Sequence, residues 1–371
     1  MSNATRRQFL RNSGILAMAA AGAGPLLRTS RAQTTAPEKK LGFAIVGLGR
    51  FGAGKLLAAL PECKYARPAA LVSGSPDKAK DLANKYGIPA KSIYNYENFD
   101  AIKDNPDVDV VFVVLPNSMH CEFTVRAAKA GKHVMCEKPM AVTAAECHQM
   151  IDACKQADRK LMIGYRLRYE PYNMRAIELV QSKANGAARM IESGNAFNIG
   201  PNEWRTDKKL AGGGPVMDLG VYSINASRYL LGEEPTHVTA QVWQPKDDPR
   251  FRTTEAQMAF SMRFPSGAIS NCTTSYCHQS ISHYRVLSEH GELRMEPAFG
   301  YGGQKLRVRG RGKNEEIDFP QVNHFVAEMD HFAQCILNNT DPRTPGEDGL
   351  RDVHIMEKLY QAVEQQKWVA V

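Results

Sequence analysis

The apolar run Leu41–Val46 stops at Gly47-Leu48-Gly49-Arg50-Phe51-Gly52, and a helical stretch follows to about Leu60. A strand that ends in three glycines at this spacing and turns at once into a helix leaves few folds open. Gly47 permits a tight turn, Gly49 lets a pyrophosphate approach the backbone, and Gly52 allows close strand–helix packing. The free N–H groups and the dipole of the helix's first turn favour an anion there. Arg50 and Phe51, inside the turn, join the glycines as candidate cofactor contacts.

The alternation continues past the turn. Ala69–Val72, Val108–Leu115, His133–Cys136 and Leu161–Gly164 read as further strands. Helices are expected over Pro76–Tyr86, Phe123–Ala130 and Thr143–Ala157. Continuous apolar strands between amphipathic helices predict a parallel sheet covered on both faces, an α/β Rossmann domain over residues 33–160.

The second strand bears on the choice of cofactor. An acidic residue about 20 positions beyond the glycines would hold the ribose 2′-hydroxyl of NAD. Here the strand ends Val72-Ser73-Gly74-Ser75, and Lys78 follows. Small hydroxyl groups and a lysine suit a 2′-phosphate instead. The expected cofactor is NADP, with Ser73, Ser75 and Lys78 around its phosphate and Asp77 as a first-turn helix residue.

Open sheets bind ligands beyond the C-terminal ends of their strands. Pro116, Asn117 and His120 follow one strand, and Glu137-Lys138-Pro139 follows the next. A lysine there either hydrogen-bonds a substrate hydroxyl or is an ordinary solvated side chain. Further on, Gly212-Gly213-Gly214 reads as a flexible loop leading into a helix on which Asp218, Tyr222 and Asn225 fall at i, i+4 and i+7. A ligand lying against the backbone would fit that stripe; so would a buried tyrosine with a satisfied hydroxyl.

From about residue 161 the pattern changes to strands over 236–243, 255–264, 268–275, 284–289 and 292–296, with helices near 322–337 and 349–366. Hairpin turns such as Pro265-Ser266-Gly267 join several of them. This predicts an α+β domain over residues 161–371 with a large, mostly antiparallel open sheet.

Residues 1–32 form a separate unit. Arg6-Arg7-Gln8-Phe9-Leu10, an apolar run from Gly14 to Leu27, and Ser30-Arg31-Ala32 have the layout of a twin-arginine export signal cleaved near Ala32. The run is too short for a permanent membrane anchor. Those residues hold five arginines and no acid, so the formal charge of +8 falls to +3 without them. The basic balance therefore makes no case for nucleic acid. The 8 cysteines show no CxxC and no zinc spacing, so buried thiols are expected, with a disulfide left open and no metal site.

Taken in order, Gly47-x-Gly49-x-x-Gly52, Glu137-Lys138-Pro139 and Asp218-x-Gly220-x-Tyr222 resemble the Gfo/Idh/MocA oxidoreductases. Most members are similar but carry His where Tyr222 stands. Tyrosine there, with Gly212–Gly214 before it and Arg228-Tyr229-Leu230-Leu231-Gly232 after it, looks like the glucose–fructose oxidoreductase branch. The resemblance implies a sugar oxidoreductase with Tyr222 as base, Lys138 stabilising its phenolate, and Asp218 orienting the lysine or binding a hydroxyl. It also implies Arg166 and Tyr169 as sugar contacts, Arg166, Trp204 and Arg205 near the cofactor, and a homodimer or homotetramer. NADP exported to a periplasm without a nucleotide pool would have to stay bound, reduced by one sugar and reoxidised by another in ping-pong fashion. Fructose or a second aldose could be that acceptor, and a simple aldose 1-dehydrogenase or a non-catalytic sugar-binding protein is the alternative.

Overall fold

The computed structural model describes residues 39–371; the expected export signal at 1–32 lies outside the described residues. The first sheet is built from β1 (Leu41–Val46), β2 (Ala66–Val72), β3 (Ile93–Tyr94), β4 (Val110–Val113), β5 (His133–Glu137) and β6 (Leu161–Gly164). Its order is β3-β2-β1-β4-β5-β6, parallel throughout, the doubly wound topology expected of a Rossmann domain. A π-helical turn, Gly52–Leu56, continues into α1 (Leu57–Ala59) after β1. Between later strands lie α2 (Pro76–Tyr86), α3 (His120–Lys129) and α4 (Ala144–Gln156). The sheet extends beyond residue 160, since β6 pairs with β5 from Leu161 to Gly164.

The second sheet has nine strands in the order β14-β13-β12-β11-β7-β10-β9-β8-β15. The chain enters it through α5 (Pro171–Gln181) and β7 (Ala188–Ala196), then runs through α6 (Lys208–Ala211) and α7 (Val221–Leu231). The remaining strands are β8 (His237–Trp243), β9 (Gln257–Arg263), β10 (Ile269–Ser275), β11 (Ile281–Ser288), β12 (Gly291–Met295), β13 (Leu306–Gly310) and β14 (Lys313–Ile317). Then come α8 (His324–Leu337), α9 (Gly346–Gln365) and β15 (Val369–Ala370). All pairings are antiparallel except β7 with β10.

Strand alternation explains how the C-terminus completes the first domain. Phe43 and Ile45 face a cluster that holds Phe325, Met329 and Phe332 of α8, while Ala44 and Val46 face one with Phe123, Met150 and Met356 of α9. Both faces of β1 are therefore dry, and all six of its residues are buried. Each fully buried Phe or Leu contributes about 1.5–3 kcal/mol, which makes α8 and α9 structural parts of the nucleotide-binding half.

In the second sheet, β9 alternates buried Met258, Phe260 and Met262 with more exposed neighbours, so one face is covered and the other open. The central strand β7 was absent from the sequence reading. Its inner positions include Ser193 and Asn195, which are buried because Ser193 Oγ meets Ser223 Oγ at 2.8 Å and Asn195 donates to Leu219 O at 3.3 Å.

Candidate active site

The tips of β1, β2, β4 and β5 converge on one edge of the first sheet. At the tip of β1, Gly47 has φ +100° and a Cβ there would stand 2.3 Å from Val114 O. A Cβ on Gly52 would stand 2.1 Å from Gly47 O. Both glycines are required by packing. Gly49 differs, since a Cβ there would meet nothing within 4 Å. Its backbone faces open space at the start of a helix, which fits approach by a phosphate.

At the tip of β2, Ser73 is buried with its Oγ accepting from Ser75 N–H at 3.1 Å, and Ser75 and Lys78 are exposed. No carboxylate occupies that tip before Asp77. The donor set fits a phosphorylated ribose better than a free diol.

The tip of β5 carries Lys138, joined to Pro139 by a cis peptide bond. Its ammonium donates to Asp218 O at 2.8 Å and to Asp218 Oδ1 at 3.0 Å, and lies 4.5 Å from the centre of the Tyr222 ring. The other Asp218 oxygen accepts from Arg205 Nε at 3.0 Å and from Tyr276 OH at 2.9 Å. With both oxygens taken, Asp218 is arranged to orient the lysine. Burial opposes its charge, but Lys138 and Arg205 outweigh that and hold it well below the usual carboxylate range. Burial likewise disfavours the Lys138 charge, yet Asp218, Tyr222 and Glu137 raise its pKa above the ordinary lysine value.

Asp218 and Tyr222 reach the same place because the chain makes a π-helical turn, Val216–Gly220, before α7. Asn225 does not join them: its amide donates to Asp352 Oδ2 of α9 at 2.9 Å. The loop Gly212–Gly214 is also not an open ligand surface. Gly214 N–H donates to Glu255 Oε1 at 3.1 Å and Tyr360 OH at 3.2 Å, and a Cβ on Gly213 would stand 2.0 Å from Tyr360 OH.

Arg166 is 4% exposed and sits beneath the tyrosine. It donates to Tyr222 OH at 3.3 Å, to Phe299 O at 2.6 Å and to Gly300 O at 2.9 Å, and lies over the Tyr301 ring at 4.6 Å. Tyr222 thus has a guanidinium at its hydroxyl and an ammonium over its ring. Glu137, beside Lys138, is buried against Gly164; burial pushes its carboxyl up to about 7 against the pull of Lys138 and Arg166.

Three expected contacts lie elsewhere. Tyr169 is buried in the core, its hydroxyl 3.1 Å from Thr344 Oγ1 and its ring tilted on His331, so it is no sugar contact. His120 has both ring nitrogens 2.9 Å from backbone carbonyls, those of Pro139 and Leu115, and burial lowers its pKa. Asn117 is buried and donates to Ala211 O at 2.8 Å. His120 and Asn117 brace the strand tips; Pro116, half-buried, leads into that brace.

The glycine turn is bridged to the second half of the chain. Arg50 pairs with Glu203, Phe51 stacks on Tyr301 with ring centres 6.3 Å apart, and Arg205 lies over Trp204 at 4.6 Å. Between the turn and this segment lies a cavity of about 310 Å³ lined by Arg50, Phe197, Ile199, Gly200, Glu203 and Arg205. Tyr276 and Tyr301 carry no mark in the sequence. Glu203 immediately precedes Trp204-Arg205, but nothing local distinguishes Tyr276 from a core strand residue.

Residues 41–165 match the family model for the oxidoreductase family with an NAD-binding Rossmann fold, and residues 173–294 match the GFO/IDH/MocA C-terminal domain. The chain belongs to the Gfo/Idh/MocA oxidoreductase family. Among its relatives, the D-xylose 1-dehydrogenase (NADP(+)) of Haloarcula marismortui is 32% identical, over 91% of this chain and 95% of its own length. The solved aldose–aldose oxidoreductase of Caulobacter crescentus, complexed with glycerol, is 47% identical, with a TM-score of 0.88 over 90% of this chain and all of that one. Levoglucosan dehydrogenase, 21% identical with a TM-score of 0.79, shares the fold. All 8 cysteines are free thiols, seven of them buried.

Proposed function

We propose that the protein is an NADP-dependent sugar oxidoreductase that oxidises an aldose at C1 to its lactone and reduces a second aldose to a polyol in the same site. The observation that carries this is the Lys138–Asp218–Tyr222 arrangement, with the ammonium 4.5 Å from the tyrosine ring at a strand tip beside the glycine turn. NADP, when bound, accepts hydride from one sugar and returns it to the next. Gly49, Ser73, Ser75 and Lys78 are the residues that would hold its phosphates.

Tyr222 takes the proton of the C1 hydroxyl. Two cations face the tyrosine and favour negative charge on its oxygen as the proton is taken: Arg166 donates to that oxygen and Lys138 stands over its ring. In the reducing half the same hydroxyl returns the proton to a carbonyl oxygen. Asp218 holds Lys138 in place and is itself spent on that task.

The second sugar is read as an aldose because of the 47% identity to an aldose–aldose oxidoreductase. We also assign the twin-arginine signal, periplasmic location and tight retention of NADP to this protein, since an exported enzyme without a nucleotide pool needs a cofactor that stays. The open face of the second sheet, with Trp243 54% exposed on β8, is where a homodimer or homotetramer would form. The test is to incubate the purified protein with two aldoses, one as donor and one as acceptor, and no added nucleotide. Equal amounts of lactone-derived acid and polyol are expected; acid formation that depends on added NADP would reject the paired reaction.

A further inference from the structure

Asp218 holds three strong donors on two oxygens, and two of those donors come from residues outside the presumed chemistry. Tyr276 is fully buried, edge-on to Phe197 at 5.4 Å, in a cluster with Ile199, Leu219 and Phe251. A hydroxyl buried there requires a partner, and its proton goes to Asp218 Oδ2 at 2.9 Å. Arg205 reaches the same oxygen at 3.0 Å and also faces Glu203 at 3.7 Å. Glu203 in turn pairs with Arg50 of the glycine turn. A line of alternating charges thus runs Arg50, Glu203, Arg205, Asp218, Lys138 and ends over the Tyr222 ring.

We propose that Tyr276, Arg205 and Glu203 are positioning residues: they clamp the far oxygen of Asp218 so that the near oxygen locks Lys138 against Tyr222, and they tie that clamp to the nucleotide-binding turn. This rests on the reading of Lys138, Asp218 and Tyr222 given above. A lysine has a long, flexible stem, and a carboxylate held on one side only can rotate. Misplacement of a catalytic group by about 1 Å costs about a hundredfold in rate, so the clamp matters although it touches no reacting atom.

The titratable and charged groups facing Asp218 are Lys138 and Glu137 from β5, Arg205 and Glu203 from the turn before α6, Tyr276 after β10, and Tyr222 on its own helix.

The experiment compares Tyr276→Phe, Arg205→Lys, Glu203→Gln and Lys138→Met with the parent holoenzyme. It reads kcat, KM and the nucleotide retained after gel filtration. Tyr276→Phe should lose about tenfold to a hundredfold in kcat and keep KM and nucleotide content, and Arg205→Lys should show the same loss in kcat. Glu203→Gln should release nucleotide several-fold faster. If Tyr276→Phe keeps the parental kcat, the clamp is wrong; unchanged release in Glu203→Gln removes its tie to the turn. Should Tyr276→Phe fail to fold, Arg205→Lys carries the same test, because the Arg205 side chain is 30% exposed and its packing is less critical. A fully active Lys138→Met would overturn the catalytic reading itself. An inactive Lys138→Met beside parental Tyr276→Phe and Arg205→Lys would overturn only the clamp.

Discussion

Lys138→Met removes one charge and keeps the side chain's length, so it isolates the electrostatic task given to this lysine. The ammonium lies 4.5 Å from the centre of the Tyr222 ring. With an effective dielectric of about 20, its attraction to negative charge developing on that side chain as the proton moves is at most about 4 kcal/mol. Felt in full at the transition state, that is about three powers of ten in rate. Turnover at neutral pH should therefore fall by about a hundredfold to a thousandfold, with KM changing little. Asp218 keeps Arg205 and Tyr276 as partners, so folding should survive. Steady-state rates at neutral pH, with thermal unfolding as a control, make the measurement. Turnover above about a tenth of the parent in a folded variant would refute the electrostatic argument.

Other consequences separate folding from binding. Gly52→Ala puts a Cβ 2.1 Å from Gly47 O and should cost about 1–3 kcal/mol in chemical denaturation, whereas Gly49→Ala, facing open space, should fold normally and lose nucleotide in an absorbance titration. Arg228 is 4% exposed and bonded to Asp348, Asp352 and Glu234, so Asp352→Ala should destabilise by about 3–5 kcal/mol in thermal unfolding. Burial pushes the Glu255 carboxyl from 4.5 up to about 7, so the folded state binds the extra proton and loses stability as pH rises through that window. Glu255→Gln can still accept from Gly214 and Tyr360, and should gain stability over the parent between pH 5 and about pH 8, read from denaturant midpoints at each pH.

The nucleotide-binding half was legible because its strands are continuous apolar runs and its turn depends on glycines whose roles are local. Lys138, Asp218 and Tyr222 were legible as a set through family resemblance, and spacing alone left each open. What the sequence hid depends on distant partners. Strand β7 carries Ser193 and Asn195 inward, which reads as a loop until Ser223 and Leu219 are in place. Tyr169 follows Arg166 by three residues, yet its hydroxyl partner Thr344 lies 175 residues away and draws it into the core. The triple glycine read as a flexible ligand loop, whereas Tyr360 and Glu255 press against it and leave no room for side chains. Tyr276 has no local mark at all; only the approach of β10 to the turn at 216–220 gives its hydroxyl a purpose.

The most direct test of the central claim is the absorption spectrum of the purified protein through two successive additions. An aldose added to the protein alone should raise a reduced-nicotinamide band, and a second aldose should bleach it, while Tyr222→Phe shows neither change. A protein that emerges from gel filtration without nucleotide, or a Tyr222→Phe variant that reduces and reoxidises its nucleotide at the parental rate, would contradict the account.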